Sequence, residues 1–217
     1  MDVKMTTEQW IEFCKKLMPG DIIHESEKNL IGGAISWGTE DSKGIDPNHS
    51  FQYIGDGVGK CIEACPDGTK YTQIDSFRNR VLKGTVRLWV DRINDLTVGE
   101  LDLMKNKWKE LVGKKYGWWT IAGFAIYGIF NRFTPFGGLF RMFMRNPFAN
   151  KNTPVCSQDV YLAVTEIERV KPFMKEMPFE NATPNDLANW DLKFSKRILD
   201  TYRIGRYNHY DYPVFNA

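Results

Sequence analysis

The spacing of apolar residues predicts a helix followed by short strands in the first half of the chain. Residues 6–18 have the helical pattern, with Thr6 or Thr7 available as the N-cap and Pro19-Gly20 as the stop. The apolar face of this helix would consist of Trp10, Phe13, Cys14 and Leu17. Beyond this helix, apolar and polar residues alternate as they do in strands at 21–24, 49–54, 60–64 and 81–90. Turns rich in glycine and proline lie between these segments. This pattern is typical of an antiparallel sheet.

Helical spacing returns in the second half of the chain. Residues 96–112 carry one apolar stripe, made of Val98, Leu101, Met104, Trp108 and Leu111. A second helix is predicted for residues 154–169, beginning near Cys156, and Thr183 is placed to cap a short helix that runs to residue 190. Residues 202–217 form an aromatic and polar tail without a helix or strand period. Strands followed by helices in this order predict an α+β fold.

One long segment lacks charge. No charged residue occurs from Tyr116 to Asn131, but this run is shorter than the roughly 20 apolar residues that a membrane-spanning helix needs. We expect residues 116–150 to be an apolar helical insertion or lid within one domain that spans residues 1–217. Residues 117–145 could also contact a membrane surface. A buried core helix with a hairpin explains the same composition equally well.

Composition places the chain among ordinary globular proteins. It has 217 residues, of which 42% are hydrophobic and 26% charged, so it can bury a large core without disulfides. The formal net charge of +2 gives no indication of nucleic-acid binding. The N-terminus has no apolar signal segment, so we expect free thiols and either a cytoplasmic location or export without a cleavable signal, with membrane association left open.

Three residues carry candidate chemistry. Cys156 lies at the start of a predicted helix, where the positive end of the helix dipole stabilises a thiolate. His49 opens a strand directly after a loop and can supply the imidazole that a nucleophilic thiol needs. Glu63 lies on the next strand, which a tight turn places antiparallel to the first. Its carboxylate could therefore meet the imidazole and hold it in one tautomer.

Each of these features also has a purely structural interpretation. A lone cysteine at a helix start is usually a buried small residue, and a lone histidine at a strand start is usually structural or exposed. Cys14, Cys61 and Cys65 could together bind zinc, but no CxxC pair or histidine cluster accompanies them. Small apolar residues in a sheet are the simpler explanation for Cys61 and Cys65. We therefore expect no metal and no cofactor.

The order of the motifs resembles a known superfamily. Pro19-Gly20-Asp21-Ile22-Ile23 is followed by four further motifs, which are Asn48-His49-Ser50, Tyr53-Ile54-Gly55-Asp56-Gly57, Ile62-Glu63-Ala64-Cys65-Pro66-Asp67-Gly68 and Pro154-Val155-Cys156-Ser157. Thr183-Pro184-Asn185-Asp186-Leu187 comes last. This order is similar to that of the circularly permuted branch of the papain-like, NlpC-type amidase and peptidase superfamily, in which the histidine strand precedes the cysteine helix. That branch includes YiiX-like bacterial proteins and lecithin:retinol acyltransferase-like enzymes.

The resemblance implies a permuted papain-like fold, in which a small antiparallel sheet or half-barrel packs against helices. It implies that Cys156 is the nucleophile, that His49 is the general base and acid, and that Glu63 orients His49. The backbone N–H of Cys156 would meet the oxyanion together with a second donor. His24 and Tyr116 are the two candidates for that donor.

The predicted function is a cysteine-dependent hydrolase or acyltransferase that acts on an amide or ester bond through a thioester. Its substrate would be a peptide, such as a cell-wall peptide, or an acyl lipid. Compared with a compact family member, the segment 118–150 is enlarged and very apolar, and the tail 202–217 has no counterpart. The apolar segment favours an amphipathic substrate or a membrane surface. The alternative function is a non-catalytic module on the same fold that docks a membrane or a protein partner, with Cys156 only a buried thiol.

Overall fold

The chain forms an antiparallel sheet flanked by helices, as seen in a computed structural model that describes residues 4–27, 47–55, 59–133, 146–174, 178–188 and 195–200. The strands are β1 (Ile22–Glu27), β2 (His49–Gly55), β3 (Lys60–Cys65), β4 (Gly68–Gln73), β5 (Val86–Ile93) and β6 (Ser195–Asp200). The helices are α1 (Thr7–Lys15), α2 (Arg78–Lys83), α3 (Val98–Leu111), α4 (Trp118–Phe133), α5 (Cys156–Val164), α6 (Lys171–Met174) and α7 (Pro184–Ala188). Two short 3-10 helices cover Ile74–Phe77 and Phe179–Asn181.

The strand order in the sheet is β4-β3-β2-β1-β5-β6, and each neighbouring pair is antiparallel. The register aligns Tyr53 of β2 with Cys61 of β3, and it aligns Phe51 of β2 with Ile23 of β1. Since side chains alternate across a strand, this register decides which residues share a face. It places His49, Phe51 and Tyr53 on one face of β2.

Helices cover both faces of the sheet. On one face, Trp10 and Phe13 of α1 pack with Phe51 and Leu88 in one buried cluster. On the other face, helices α3 and α5 pack against the sheet in a second cluster, which includes Ile54, Ile62, Met104, Trp108, Val160 and Val164. Burial of one such side chain stabilises the fold by about 1.5–3 kcal/mol. The α+β fold predicted from the sequence is confirmed.

Capping residues set the starts of α1 and α3. Thr6 Oγ1 accepts a hydrogen bond from the N–H of Gln9 at 3.2 Å, and Gln9 Oε1 accepts one from the N–H of Thr6 at 2.8 Å. Thr97 and Glu100 make the same reciprocal pair in front of α3, at 3.2 and 2.9 Å. Loss of such an N-cap costs about 1 kcal/mol. The sequence pattern therefore located both helix starts to within about two residues.

Several local predictions were wrong. Val81 lies in α2 and not in a strand, because the segment 81–90 divides at Gly84, whose φ of 76° ends the helix. Val98 is 77% exposed, although the predicted stripe placed it in the core with Met104, Trp108 and Leu111, which are buried. The helix predicted to reach residue 169 ends at Val164. The tail 202–217 and most of the predicted loop before His49 lie outside the described residues.

Most of the uncharged segment lies in α4, and residues 134–145 of the predicted insertion 116–150 lie outside the described residues. The buried Asn146 joins α4 to the chain that leads to Cys156. Its Nδ2 donates to the carbonyl of Thr120 at 3.0 Å, and its backbone N–H donates to Asn181 Oδ1 at 2.9 Å. Within the described parts of the chain, each helix is too short or too polar to cross a lipid bilayer.

Gly123→Ala is expected to destabilise the protein by about 1–3 kcal/mol, because the added methyl group overpacks a buried contact. A Cβ at this position would lie 2.2 Å from Asn146 Oδ1, and Asn146 cannot withdraw without losing its hydrogen bonds. Gly99→Ala is the matched control on α3, since nothing lies within 4 Å of a Cβ there. That change should be neutral or stabilising by up to about 1 kcal/mol. Urea unfolding measures both, and equal stability of Gly123→Ala and wild type would contradict the tight contact.

Candidate functional site

His49 and Glu63 meet on one face of the sheet. The pairing of Tyr53 with Cys61 places Glu63 on the face that also carries His49. His49 Nε2 lies 2.8 Å from Glu63 Oε2. Because an ionised carboxylate can only accept, the imidazole donates this hydrogen bond. The second ring nitrogen, Nδ1, is then the one that can exchange a proton with a neighbouring group.

The neighbouring group is Cys156. Burial by itself lowers the pKa of His49, but the charge of Cys156, a hydrogen bond with the Cys156 side chain and the interaction with Glu63 together raise it well above its usual value. Burial likewise raises the pKa of Glu63, yet the hydrogen bond and the charge of His49 hold it below its usual value. The structure thus brings the three predicted residues together, with the charged forms of His49 and Glu63 favouring each other.

The first turn of α5 is anchored by its own polar side chains. Helix α5 begins at Cys156, so the N–H of Cys156 belongs to the turn whose donors have no partner inside the helix. Gln158 Oε1 accepts from the N–H of Val155 at 3.2 Å, and Gln158 Nε2 donates to the carbonyl of Phe179 at 3.1 Å. Ser157 Oγ donates to a carbonyl 25 residues further along the chain. The positive end of the helix dipole is therefore held beside the Cys156 thiol.

A close backbone contact places Tyr116 beside Cys156. The N–H of Gly117 donates to the carbonyl of Pro154 at 3.2 Å, and a Cβ on Gly117 would lie 2.3 Å from the carbonyl oxygen of Thr153. A larger residue would push away the segment that leads into Cys156. Burial raises the pKa of Tyr116, and the neighbouring Cys156 raises it further. The phenol therefore keeps its proton at neutral pH and remains a hydrogen-bond donor.

His24, the other candidate for a second oxyanion donor, lies on the face of the sheet opposite to His49. It is aligned with Ser50 in the register of β1 and β2. His24 Nδ1 lies 2.9 Å from Ser50 Oγ, and Nε2 lies 3.3 Å from Asp91 Oδ2. Both ring nitrogens are engaged within the sheet, so the geometry favours Tyr116.

Sequence reasoning missed Asp159, a buried carboxyl group one turn after Cys156. Thr69 Oγ1 donates to Asp159 Oδ2 at 2.7 Å, whereas Asp159 Oδ1 has no hydrogen-bond partner among the described residues. Burial raises the pKa of Asp159 to about 7, although the Thr69 hydrogen bond and the charges of Lys114 and His49 act in the opposite direction. The signal in the sequence was an aspartate three residues after the cysteine, in a helix whose next five positions, 160–164, are apolar or aromatic.

The site and the fold together define an α+β protein whose antiparallel sheet carries a His–Glu pair against the N-terminus of a cysteine-bearing helix. No family model matches the chain. No curated protein matches it either. Among solved structures it is similar to the metalloprotein YiiX from Escherichia coli O157:H7, with 15% sequence identity and a TM-score of 0.53 over 84% of this chain and 96% of that one. This similarity shows that the two proteins share a fold.

YiiX is described as a metalloprotein, so a metal ion is one possible ligand of the described residues of this chain. They contain no group of three or more His, Cys, Asp or Glu side chains arranged to hold one. Burial raises the pKa of Cys14 and Cys65 to about 12, and it raises that of Cys61 well above the usual value. In the metal-free chain these thiols are therefore protonated, and they do not come together with other His, Cys, Asp or Glu side chains as a set of metal ligands. The described residues therefore do not fit the zinc interpretation.

Proposed function

We propose that this chain is a cysteine-dependent hydrolase or acyltransferase with the permuted papain-like, NlpC-type arrangement, acting on an amide or ester bond. Cys156 is the nucleophile, His49 the general base and acid, and Glu63 the residue that orients His49. The observation that carries the proposal is the 2.8 Å contact between His49 Nε2 and Glu63 Oε2, in a histidine whose pKa is also raised by Cys156. An imidazole held between a carboxylate and a thiol is the arrangement that activates a thiol nucleophile.

The proposed reaction runs in two halves. His49 takes the proton of the Cys156 thiol, and the thiolate attacks the carbonyl carbon of the substrate to give a tetrahedral oxyanion. When the oxyanion collapses, the carbon–nitrogen or carbon–oxygen bond breaks, His49 gives its proton to the leaving group, and a thioester remains. A water molecule or an amine, deprotonated by His49, then attacks the thioester and releases the Cys156 thiol.

Two donors are available to the oxyanion in this proposal. The first is the N–H of Cys156, in the first turn of α5. The second is the phenol of Tyr116, which keeps its proton beside Cys156. Loss of one such donor typically costs about 10²–10³-fold in rate. The acyl donor is a peptide amide or an acyl lipid, and the apolar helix α4 next to Cys156 favours an amphipathic molecule.

The test is covalent trapping of the thioester. Incubation with the p-nitrophenyl ester of a short fatty acid should add one acyl group to Cys156, and neutral hydroxylamine should remove it. Intact-mass and peptide mass spectrometry locate the adduct. Because Cys156 is buried at 2% exposure, the adduct also reports whether an acyl donor reaches it. Cys14→Ala on α1, which leaves the proposed nucleophile and the groups around it in place, is the matched control.

We expect the adduct in wild type and in Cys14→Ala, and no adduct in Cys156→Ala. In His49→Ala the adduct should form much more slowly. Equal acylation of all four cysteines, or an adduct on Cys156 whose rate of formation does not change in His49→Ala, would contradict the proposed mechanism.

A further inference from the structure

The outward side of α4 is apolar. Trp118 and Trp119 are 50% and 74% exposed, and Ile126, which lies on the same side two turns later, is 44% exposed. The one polar side chain from Trp118 to Ile126 is Thr120, and Thr120 is buried. A helix of a water-soluble domain normally has its polar residues on the outward side. Here the arrangement is reversed over nine consecutive residues.

The opposite side of α4 is already used for packing. Thr120 and Phe124 are buried, and Gly123 contacts Asn146 closely. The helix is therefore fixed in the fold and cannot turn its tryptophans inward. Phe148, itself 45% exposed, extends the apolar surface, since its ring centroid lies 6.4 Å from that of Trp119. We call Trp118, Trp119, Ile126 and Phe148 the α4 outer face.

The charged residues in the sequence around α4 have one sign. From residue 111 to residue 158 the sequence contains no aspartate or glutamate, while it contains Lys114, Lys115, Arg132, Arg141, Arg145 and Lys151. Glu110, the acidic residue just before this stretch, is already in an ion pair with Lys107. Exposed tryptophans combined with basic residues only are the composition of helices that lie in the interface of an anionic membrane.

We propose that the α4 outer face docks on the surface of an anionic lipid bilayer. Aromatic side chains would enter the boundary between headgroups and acyl chains, and the surrounding cations would contact lipid phosphates and carboxylates. A second copy of the chain fits less well, because a symmetric contact would bring two groups of cations together. This docking is independent of the chemistry of Cys156. If the proposed function also holds, the docked helix presents Cys156 to molecules in the membrane, since Gly117 contacts the backbone directly in front of it.

The test is co-sedimentation of the full chain with lipid vesicles. Vesicles of phosphatidylcholine mixed with phosphatidylserine should bind the protein, vesicles of phosphatidylcholine alone should bind it weakly, and high salt should weaken the binding. The double variant Trp119→Ser/Ile126→Ser should bind the anionic vesicles about tenfold more weakly or worse. Val98→Ser/Leu103→Ser is the matched control, because these α3 residues are 77% and 46% exposed and lie outside the α4 outer face.

Equal binding by Trp119→Ser/Ile126→Ser and wild type would overturn the proposal, as would the absence of binding to anionic vesicles at low salt. It would also be overturned if wild type ignores vesicles but forms a dimer that the double variant loses, since the face would then serve self-association. Cys156→Ala should bind vesicles as wild type does. Failure of docking and failure of the proposed catalysis are therefore separate results.

Discussion

His49→Ala is expected to slow the alkylation of Cys156 by iodoacetamide at pH 6 by about 100-fold. An isolated cysteine thiol titrates near pH 8.5, so only about 0.3% of it is thiolate at pH 6. In the wild type the pKa of His49 lies well above its usual value, so the ring remains an imidazolium at this pH. A cation next to a thiol favours the reactive thiolate, so we expect Cys156 to be alkylated fast at this pH. Peptide mass spectrometry from pH 4 to pH 9 measures the alkylation of each cysteine separately.

Two variants, one of them a control, test the role of the Glu63 carboxylate. Glu63→Gln removes the charge that helps to raise the pKa of His49, so the pH at which fast alkylation begins should move, and the rate at pH 6 should fall between those of wild type and His49→Ala. Glu25→Gln removes an equal charge near His49, but Glu25 pairs with Arg80 at 3.0 Å. It should leave the profile close to that of wild type. Identical profiles for wild type, Glu63→Gln and His49→Ala would mean that Cys156 is an ordinary buried thiol.

Much of this site could be predicted from the sequence because its parts lie at the ends of regular elements. The turn between β2 and β3 is short, so two consecutive strands had to be antiparallel, and the period of two then placed Glu63 on the face of His49. Cys156 lies just after a proline, at a helix start that the sequence also indicates. The contact of the strand pair with α5 joins residues about 100 positions apart, and the apolar pattern alone does not determine such a contact.

What could not be predicted depends on tertiary contacts or on weak local patterns. The edge strand β4 alternates poorly, because Lys70 and Tyr71 are both exposed, and β6 is also an edge strand. The apolar residues in 81–90 alternate as they would in one strand. Val81, however, belongs to helix α2, which ends at Gly84, and β5 begins only after that glycine. Asp159 lies in a helix turn that faces β4, and only the packing of α5 on the sheet shows that its carboxyl group is buried.

Burial of Asp159 makes the stability of the protein depend on pH. In the unfolded chain the pKa of an aspartate is about 3.9, whereas burial raises that of Asp159 to about 7. The folded state therefore binds the proton more tightly, and between these two values the unfolding free energy falls as the pH rises. A shift of three pKa units corresponds to about 4 kcal/mol of unfolding free energy. This contribution is fully lost above pH 7.

Asp159→Asn is expected to remove this loss. An asparagine can still accept the hydrogen bond from Thr69 through its side-chain oxygen, and it never ionises. At pH 8 the variant should be more stable than wild type by up to about 4 kcal/mol, and at pH 4 the two should differ by about 1 kcal/mol or less. Urea unfolding at several pH values from 4 to 8 measures the difference. Other titrating groups cancel, because both proteins carry them.

Asp102→Asn is the matched control, since it removes the same charge from a carboxylate that is 61% exposed, and its effect on stability should be small at every pH. If wild type and Asp159→Asn keep a constant difference in unfolding free energy from pH 4 to pH 8, Asp159 ionises in the folded state as it does in the unfolded one. The carboxyl group would then have solvent or a cation as a partner. A difference that grows as the pH rises through 7 means that a neutral Asp159 lies one turn from the Cys156 thiol, where it adds no negative charge to oppose thiolate formation.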